Sequence, residues 1–390
     1  MERLRITGGQ VLLQSDGMQH VDVLLENGRI AGLDRDGAGA SFDARGLLVL
    51  PGIVDIHGDA FERQLQPRPG VGFAADIALH DTEAQLLANG ITTAFHGVTL
   101  SWEPGLRSLD AWKALLDALE ARHWTCDMRI HLRWEAYNLG ALDVALNDIA
   151  AGRVHLLAFN DHTPPILKKI KDPVVGAKYS DRAGMKLDDF RTLAEQVGAR
   201  AAAVPDALER IAAAARRAKL PMASHDDAKV ETRRAFRARG ARICEFPMAE
   251  EVGQEAHANG DWVVMGCPNV VRGGSHLGWT SAARMAEAGI CNVLSSDYFY
   301  PAMLRAAFAL AGREVFDLPR AWALISGNPA DATGLLDRGA IADGMRADLI
   351  VVDPQVPRVV ATIANGRIAY ITAAGSSRLS TAGQLARTAG

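Results

Sequence analysis

In this chain of 390 residues, imidazole and carboxylate side chains recur where apolar runs end. The run Leu48-Val49-Leu50-Pro51-Gly52-Ile53-Val54-Asp55-Ile56 delivers His57 and Asp59. Strand alternation puts the two on one face, about 7 Å apart at ~3.3 Å per residue, so that both reach one divalent ion. A single His-x-Asp pair is a common accident, and its weight comes from repetition. Arg133 and Glu135 close a third apolar run, Asn160, Asp161 and His162 a fourth, His225, Asp226 and Asp227 a fifth, and Asp297 an eighth. A core strand has no reason to end so often in charge, whereas a (β/α)8 enzyme assembles its active site at those ends.

His57, Asp59, Glu135, His162, His225 and Asp297 form a nitrogen and oxygen ligand set for zinc, with manganese the alternative, as one ion or two. Glu135 is the expected bridging ligand, with His162 and His225 completing the second position. Asp297, which also suits a helix N-cap, is the expected general base that takes the proton of the attacking water. His96, His131 and Glu245 also lie in or beside strands. They stay unassigned, because barrel interiors bury hydrogen-bonded polar groups as well.

A second chemistry stands beside the first. Arg272-Gly273-Gly274-Ser275-His276 follows the seventh apolar run, where glycines let the backbone approach an anion and arginine supplies a forked, permanently charged donor. Arg272 and His276 are therefore the expected phosphate contacts. Lys168, Lys169 and Lys171, then Lys178, on the fourth loop, and Arg63 and Arg68 on the first, add positive charge over the mouth.

The elements that must hold these residues alternate in a βαβ rhythm, which calls for a parallel sheet buried on both faces. Strands are expected at 49–56, 92–97, 129–135, 155–161, 222–224, 243–246, 262–265 and 293–296, with helices at 110–122, 205–217 and 320–326 among those between. The stretch 163–202 is too long for an ordinary βα connection and should fold over the barrel mouth. Both ends of the chain read instead as strands, each with an Asn-Gly-Arg-Ile turn at Asn27 and at Asn365. The expectation is an α/β chain: a (β/α)8 barrel over 48–336, a composite β-sandwich from 1–47 and 337–372, and a flexible tail over 373–390.

Bulk properties exclude several classes. A net charge of −4 argues against a nucleic-acid binder. Cys126, Cys244, Cys267 and Cys291 have no CxxC spacing and read as reduced core residues, and no run of eighteen apolar residues marks a membrane span. With no leader-like apolar segment at the start, a cytoplasmic location is expected.

These segments resemble the amidohydrolase superfamily: a small β-domain from both termini, Pro51-Gly52-Ile53-Val54-Asp55-Ile56-His57 on the first strand and a late Asp297. The likeness narrows to the α-D-ribose 1-methylphosphonate 5-triphosphate diphosphatases of the carbon-phosphorus lyase pathway. It is carried by Glu62-Arg63, Pro67-Arg68-Pro69-Gly70, His131-Leu132-Arg133, Ser224-His225-Asp226-Asp227, Glu245-Phe246-Pro247, Arg272-Gly273-Gly274-Ser275-His276 and Ser295-Ser296-Asp297. The resemblance implies metal-dependent hydrolysis of a small phosphorylated substrate with release of pyrophosphate, by an amidohydrolase-type homo-oligomer. Gly58, Ala60 and Gln64 depart from the family's usual first-strand pattern, and the fourth-strand loop, long as it is, is shorter than the family leads one to expect. The alternatives are C–N hydrolysis of a cyclic amide, acylated amine or aminated base on the same barrel, and a silent binding module, which would have lost its ligands.

Overall fold

The computed structural model describes residues 3–14, 16–68, 70–274, 280–313 and 316–380. Its centre is a parallel sheet whose strands follow chain order: Ile53–Gly58, Ile91–Leu100, Asp127–Glu135, Leu156–Asn160, Met222–His225, Ile243–Glu245, Trp262–Gly266 and Val293–Ser295. The eight coincide with the eight expected. All ten residues of Ile91–Leu100 are buried, as a parallel strand between helices and barrel interior requires. Val54, Ile56, Phe95, Ala158, Ala223, Ile243 and Val293 fill that interior.

The sheet closes only at its top edge. Gly58 of the first strand bridges Asp297 in parallel, the Asp297 amide donates to His57 O at 3.0 Å, and the Asp59 amide to Asp297 O at 2.9 Å. Lower down, a wedge of chain replaces direct pairing: Leu294 N donates to Leu324 O at 2.8 Å and Val54 N to Ile325 O at 2.9 Å. The wedge is held by Trp322, fully buried, whose Nε1 donates to Pro51 O at 3.1 Å.

The first apolar run is two strands rather than the single one expected over 49–56. Leu48–Pro51 pairs with Leu349–Asp353 in the terminal domain, and Ile53–Gly58 enters the barrel. The break falls where Pro51 has no amide to offer and Gly52 N turns to Asp348 O at 2.8 Å. A Cβ on Gly52 would sit 2.3 Å from Thr92 Oγ1, so only glycine passes there.

Both termini build the sandwich. A five-stranded sheet and a six-stranded sheet enclose Leu4, Ile6, Val23, Phe42, Val49, Leu349, Val351 and Ile363. The chain after Thr372 is ordered further than expected. Thr372 caps a short helix, Ala373–Ser376, and Leu379–Ser380 then pairs antiparallel with Phe42 and Ser41. Residues 381–390 lie outside the described residues.

The long fourth connection is helical: Thr163–Lys169, Pro173–Ala183 and Leu187–Gly198. It has its own small core of Ile166, Ile170, Ala183, Phe190 and Ala194. Trp102 Nε1 donates to Thr163 Oγ1 at 2.8 Å, and Arg182 pairs with the buried Glu103, tying the insert to the loop after the second strand. All four cysteines are free and buried.

Candidate active site

Strand alternation explains how the third strand populates the barrel mouth. His131, Arg133 and Glu135 share its inward face, and in the parallel register His131 lies opposite Gly97 of the second strand. The missing side chain leaves room at the mouth: a Cβ on Gly97 would stand 3.3 Å from Arg133 Cδ and 3.6 Å from His57 Nε2. Across the mouth, His225 of the fifth strand is registered with Glu245 of the sixth.

Two trios result. In the first, His57 Nδ1 lies 3.1 Å from Glu245 Oε1 and His131 Nε2 3.7 Å from Glu245 Oε2. His131 Nδ1 faces Ile56 O at 3.1 Å, so this nitrogen donates and Nε2 keeps a lone pair. Burial drives the His131 pKa down to about 3 and that of His57 well below the ordinary range, so both rings are neutral; burial pushes Glu245 up. In the second trio, His162 Nε2 and His225 Nδ1 approach Asp226 Oδ2 at 3.3 and 3.2 Å. Burial lowers His225 to about 4, while Asp226, against the pull of its own burial, is held far below the carboxylate range by the His225 and His162 rings. The trios form one belt, with His57 and His225 ring centres 5.0 Å apart. Phe246 packs edge-on against both rings.

His57 Nδ1, His131 Nε2 and both Glu245 oxygens of the first trio, and His225 Nδ1 of the second, are buried with no hydrogen-bond partner among the described residues. Unsatisfied buried polar atoms are costly and rare in native proteins. The convergence of those of His57, His131 and Glu245 on one spot, as neutral imidazole and carboxylate, fits a borderline divalent cation.

The expected ligands fall into two groups. His57, His162 and His225 stand in the trios, whereas Asp59, Glu135 and Asp297 stand beside them. The first strand ends at Gly58, so alternation stops before Asp59, whose Oδ2 faces Arg133 Nη1 at 3.5 Å. Glu135 is taken up by the insert: Oε1 accepts from Thr163 N at 3.1 Å and Oγ1 at 2.7 Å, and Oε2 from His162 N at 3.2 Å. Asp297 sits at the barrel seam over Gly266, and burial, reinforced by the Asp59 charge, pushes its pKa up to about 7. His131, Glu245 and Asp226 enter the trios without having been assigned from sequence. The parity of His131 with Arg133 and Glu135 was a usable signal, and Asp226 had none beyond adjacency to His225.

Two of the expected anion contacts hold the same residue, at its two ends. Arg272 Nη1 donates to Tyr298 Oη at 3.3 Å and Arg63 Nη2 donates to Tyr298 O, directly after Asp297. Arg272 ends a short helix, Cys267–Arg272, where a loop was expected. Lys168, Lys178 and Arg68 are exposed, and neither lysine makes an ion pair with another described residue. Ser275 and His276 lie outside the described residues.

An eight-stranded parallel barrel, joined at its mouth and wedged below, with a β-sandwich from both termini and a belt of neutral imidazoles and carboxylates at the mouth, defines a hydrolase of the amidohydrolase superfamily. The chain belongs to the amidohydrolase family, whose pattern matches residues 74–370. It is similar to the α-D-ribose 1-methylphosphonate 5-triphosphate diphosphatase of Escherichia coli (strain K12), with 32% identity over 320 residues, 80% of this chain and 84% of that one. Among solved structures it is similar to a β-aspartyl dipeptidase from Fervidobacterium islandicum AW-1 bound to β-Asp-Leu dipeptide (TM-score 0.62, 17% identity, 95% and 97% of the two chains). It is also similar to 5-methylcytosine deaminase from Klebsiella pneumoniae liganded with 5-fluorocytosine (TM-score 0.60, 16% identity, 94% and 97%). At those identities the likeness concerns the fold alone. No helix among the described residues is long and apolar enough to cross a membrane.

Proposed function

We propose that this chain is a metal-dependent diphosphatase that hydrolyses the 5-triphosphate of α-D-ribose 1-methylphosphonate 5-triphosphate. The observation that carries the reading is that Arg63 and Arg272 both donate to Tyr298, the residue after Asp297, one to its main-chain oxygen and one to its phenol. Two permanent cations over the mouth suit a polyphosphate, and a neutral cyclic amide has no use for them. The likeness to the Escherichia coli diphosphatase supports the same substrate class.

The metal, for which zinc is the natural candidate, would be held by His57, His131 and Glu245, with His162, His225 and Asp226 alongside. A divalent ion bound there supplies Lewis-acid polarisation and acidifies water. The protein does the rest. Arg63 and Arg272 orient the phosphate chain, and the Asp297 carboxylate, raised toward neutrality by burial, accepts the proton of the attacking water. The α–β phosphoanhydride P–O bond breaks, its electron pair leaves with pyrophosphate, and the 5-phosphoribosyl phosphonate remains. Phe246 packs against the His57 and His225 rings and limits water there.

The test is a screen of metal-loaded enzyme against ribosyl triphosphates and cyclic amides, scoring pyrophosphate against ring opening. Pyrophosphate release that falls at least tenfold in kcat/KM in Arg272→Ala is the expected result. Ring opening without pyrophosphate release, or turnover unchanged in Arg272→Ala, overturns the proposal.

A further inference from the structure

Asn160 ends the fourth strand at the level of the ligand belt, and the reading above gives it no part. Leu156 and Ala158 fill the barrel interior, so Asn160, two residues on, shares their inward face. It is registered with Glu135 of the third strand and lies one step past the Phe159–Ser224 pair, level with His225 of the fifth. Its main-chain oxygen accepts from Ala136 N at 2.8 Å, which fixes the backbone. The side chain is fully buried, yet neither Oδ1 nor Nδ2 has a hydrogen-bond partner. Among the described residues no other carboxamide is buried with both atoms in that state: Gln64 lacks a partner at Oε1 alone and Asn138 at Nδ2 alone.

Packing does not call for asparagine here. Leucine has the same branched outline and strands no polar atom, so the amide is retained at a cost in stability. Nor is it a natural part of the cation site, since zinc takes imidazole, thiolate and carboxylate. A carboxamide is satisfied by one acceptor and one donor together. A phosphoryl oxygen answers Nδ2, and a water molecule, with two hydrogens to give, answers Oδ1. The fourth and eighth strands are four places apart in the eight-stranded order, so Asn160 and Asp297 stand on opposite sides of the mouth.

Resting on the diphosphatase reading above, we propose that Asn160 is a further catalytic residue that holds both reaction partners. Its Nδ2 donates to an oxygen of the α-phosphoryl group, and its Oδ1 accepts one hydrogen of the attacking water. The other hydrogen of that water passes to Asp297 as the oxygen bonds to phosphorus and the α–β bridging oxygen departs with pyrophosphate. The neutral amide gives and takes no proton. It sets the line of attack from a strand rather than from a loop, and it is free to do so because no other group of the protein engages it.

The experiment compares wild type with Asn160→Leu and Asn160→Ala in pyrophosphate release from α-D-ribose 1-methylphosphonate 5-triphosphate, in bound zinc per chain and in Tm. Both variants are expected to lose about 10²-fold in kcat, as for removal of one positioned donor, with KM within about threefold of wild type. Zinc content should be unchanged, and Asn160→Leu should melt no lower than wild type, the opposite of what a structural asparagine would show. Asn160→Ala carries the kinetics if Asn160→Leu does not fold. A kcat within about threefold of wild type in a folded variant, a loss of activity matched by a loss of zinc, or failure of both variants to fold would overturn the role given to Asn160. Wild type that releases no pyrophosphate would instead overturn the diphosphatase reading on which it rests.

Discussion

Glu245 makes the sharpest demand on the metal assignment, because its two contributions to stability have opposite signs. Its carboxyl is fully buried and neither oxygen has a hydrogen-bond partner among the described residues; His57 Nδ1 lies at 3.1 Å and His131 Nε2 at 3.7 Å. A polar group buried in that state costs about 1–3 kcal/mol, and more when charged. With no ion bound, Glu245→Gln removes the charge at nearly constant volume and should stabilise the protein by about 1–3 kcal/mol. Unfolding entropy of about 2.1 cal/mol/K per residue over 390 residues is roughly 0.8 kcal/mol/K, so each kcal/mol moves Tm by about 1.2 °C. Chelator-treated Glu245→Gln should thus melt about 1–4 °C above chelator-treated wild type. Zinc at a hundredfold excess over Kd adds about 2.7 kcal/mol to wild type, or about 3 °C, and should add nothing to the variant. The assay is thermal unfolding of both proteins with chelator and with zinc, beside catalytic turnover. A variant less stable than wild type in chelator would make Glu245 a structural residue and refute the reasoning.

Asp297→Asn should lower kcat by 10²–10⁴ while leaving Tm within about 2 °C of wild type, because asparagine tolerates the left-handed backbone (φ 55°) and the seam bonds to His57 O and from Asp59 N are made by the main chain; steady-state kinetics and calorimetry check the pair. Asp127 bears on acid stability: burial works to raise its pKa, but Arg129 at 2.9 Å and Arg338 at 2.5 Å outweigh it and hold the carboxyl below its ordinary value. A depressed folded-state pKa contributes stability above the unfolded value near 4, lost as pH falls through the folded value. Urea titrations at pH 7 and pH 3 should therefore show a wild-type loss that Asp127→Asn does not share, and equal slopes would remove Asp127 from the account.

Apolar runs and turn residues carry most of the fold, so the eight strands were legible from sequence. What alternation could not show was where pairing stops. The break at Gly52 depends on Thr92, forty residues away, and on Asp348, at the far end of the chain. The same limit governs the site. His57 and Asp59 would share a face if the strand ran on, but the strand ends at Gly58, and the Asp59 amide turns to Asp297 O instead. Glu135 has the right parity for a bridging ligand, yet the N-terminus of the first insert helix, at Thr163, occupies both oxygens. Glu245 was visible as a buried carboxylate and silent as to role, because only the register with His225 and the reach of His57 and His131 give it one.

The rim of the barrel explains why these side chains converge at all. Asp226, Phe246 and Asp297, which follow the fifth, sixth and eighth strands, all have left-handed backbones, with φ of 57°, 50° and 55°. Such a residue costs on the order of 1–3 kcal/mol and persists where its surroundings fix it. Each donates its amide to the neighbouring strand: Asp226 N to Glu245 O at 3.0 Å, Phe246 N to Val264 O at 2.9 Å, and Asp297 N to His57 O at 3.0 Å. The ladder is thus extended by one bond while the chain turns away from the strand direction, and the turn aims His225, Asp226 and Glu245 at a common centre. Aspartate accepts this conformation readily and phenylalanine does not. Phe246 is therefore the position where strain most needs a return, and its ring, with its centre 4.8 Å from that of His57 and 5.3 Å from that of His225, packs edge-on against both and is part of the burial that lowers their pKa values.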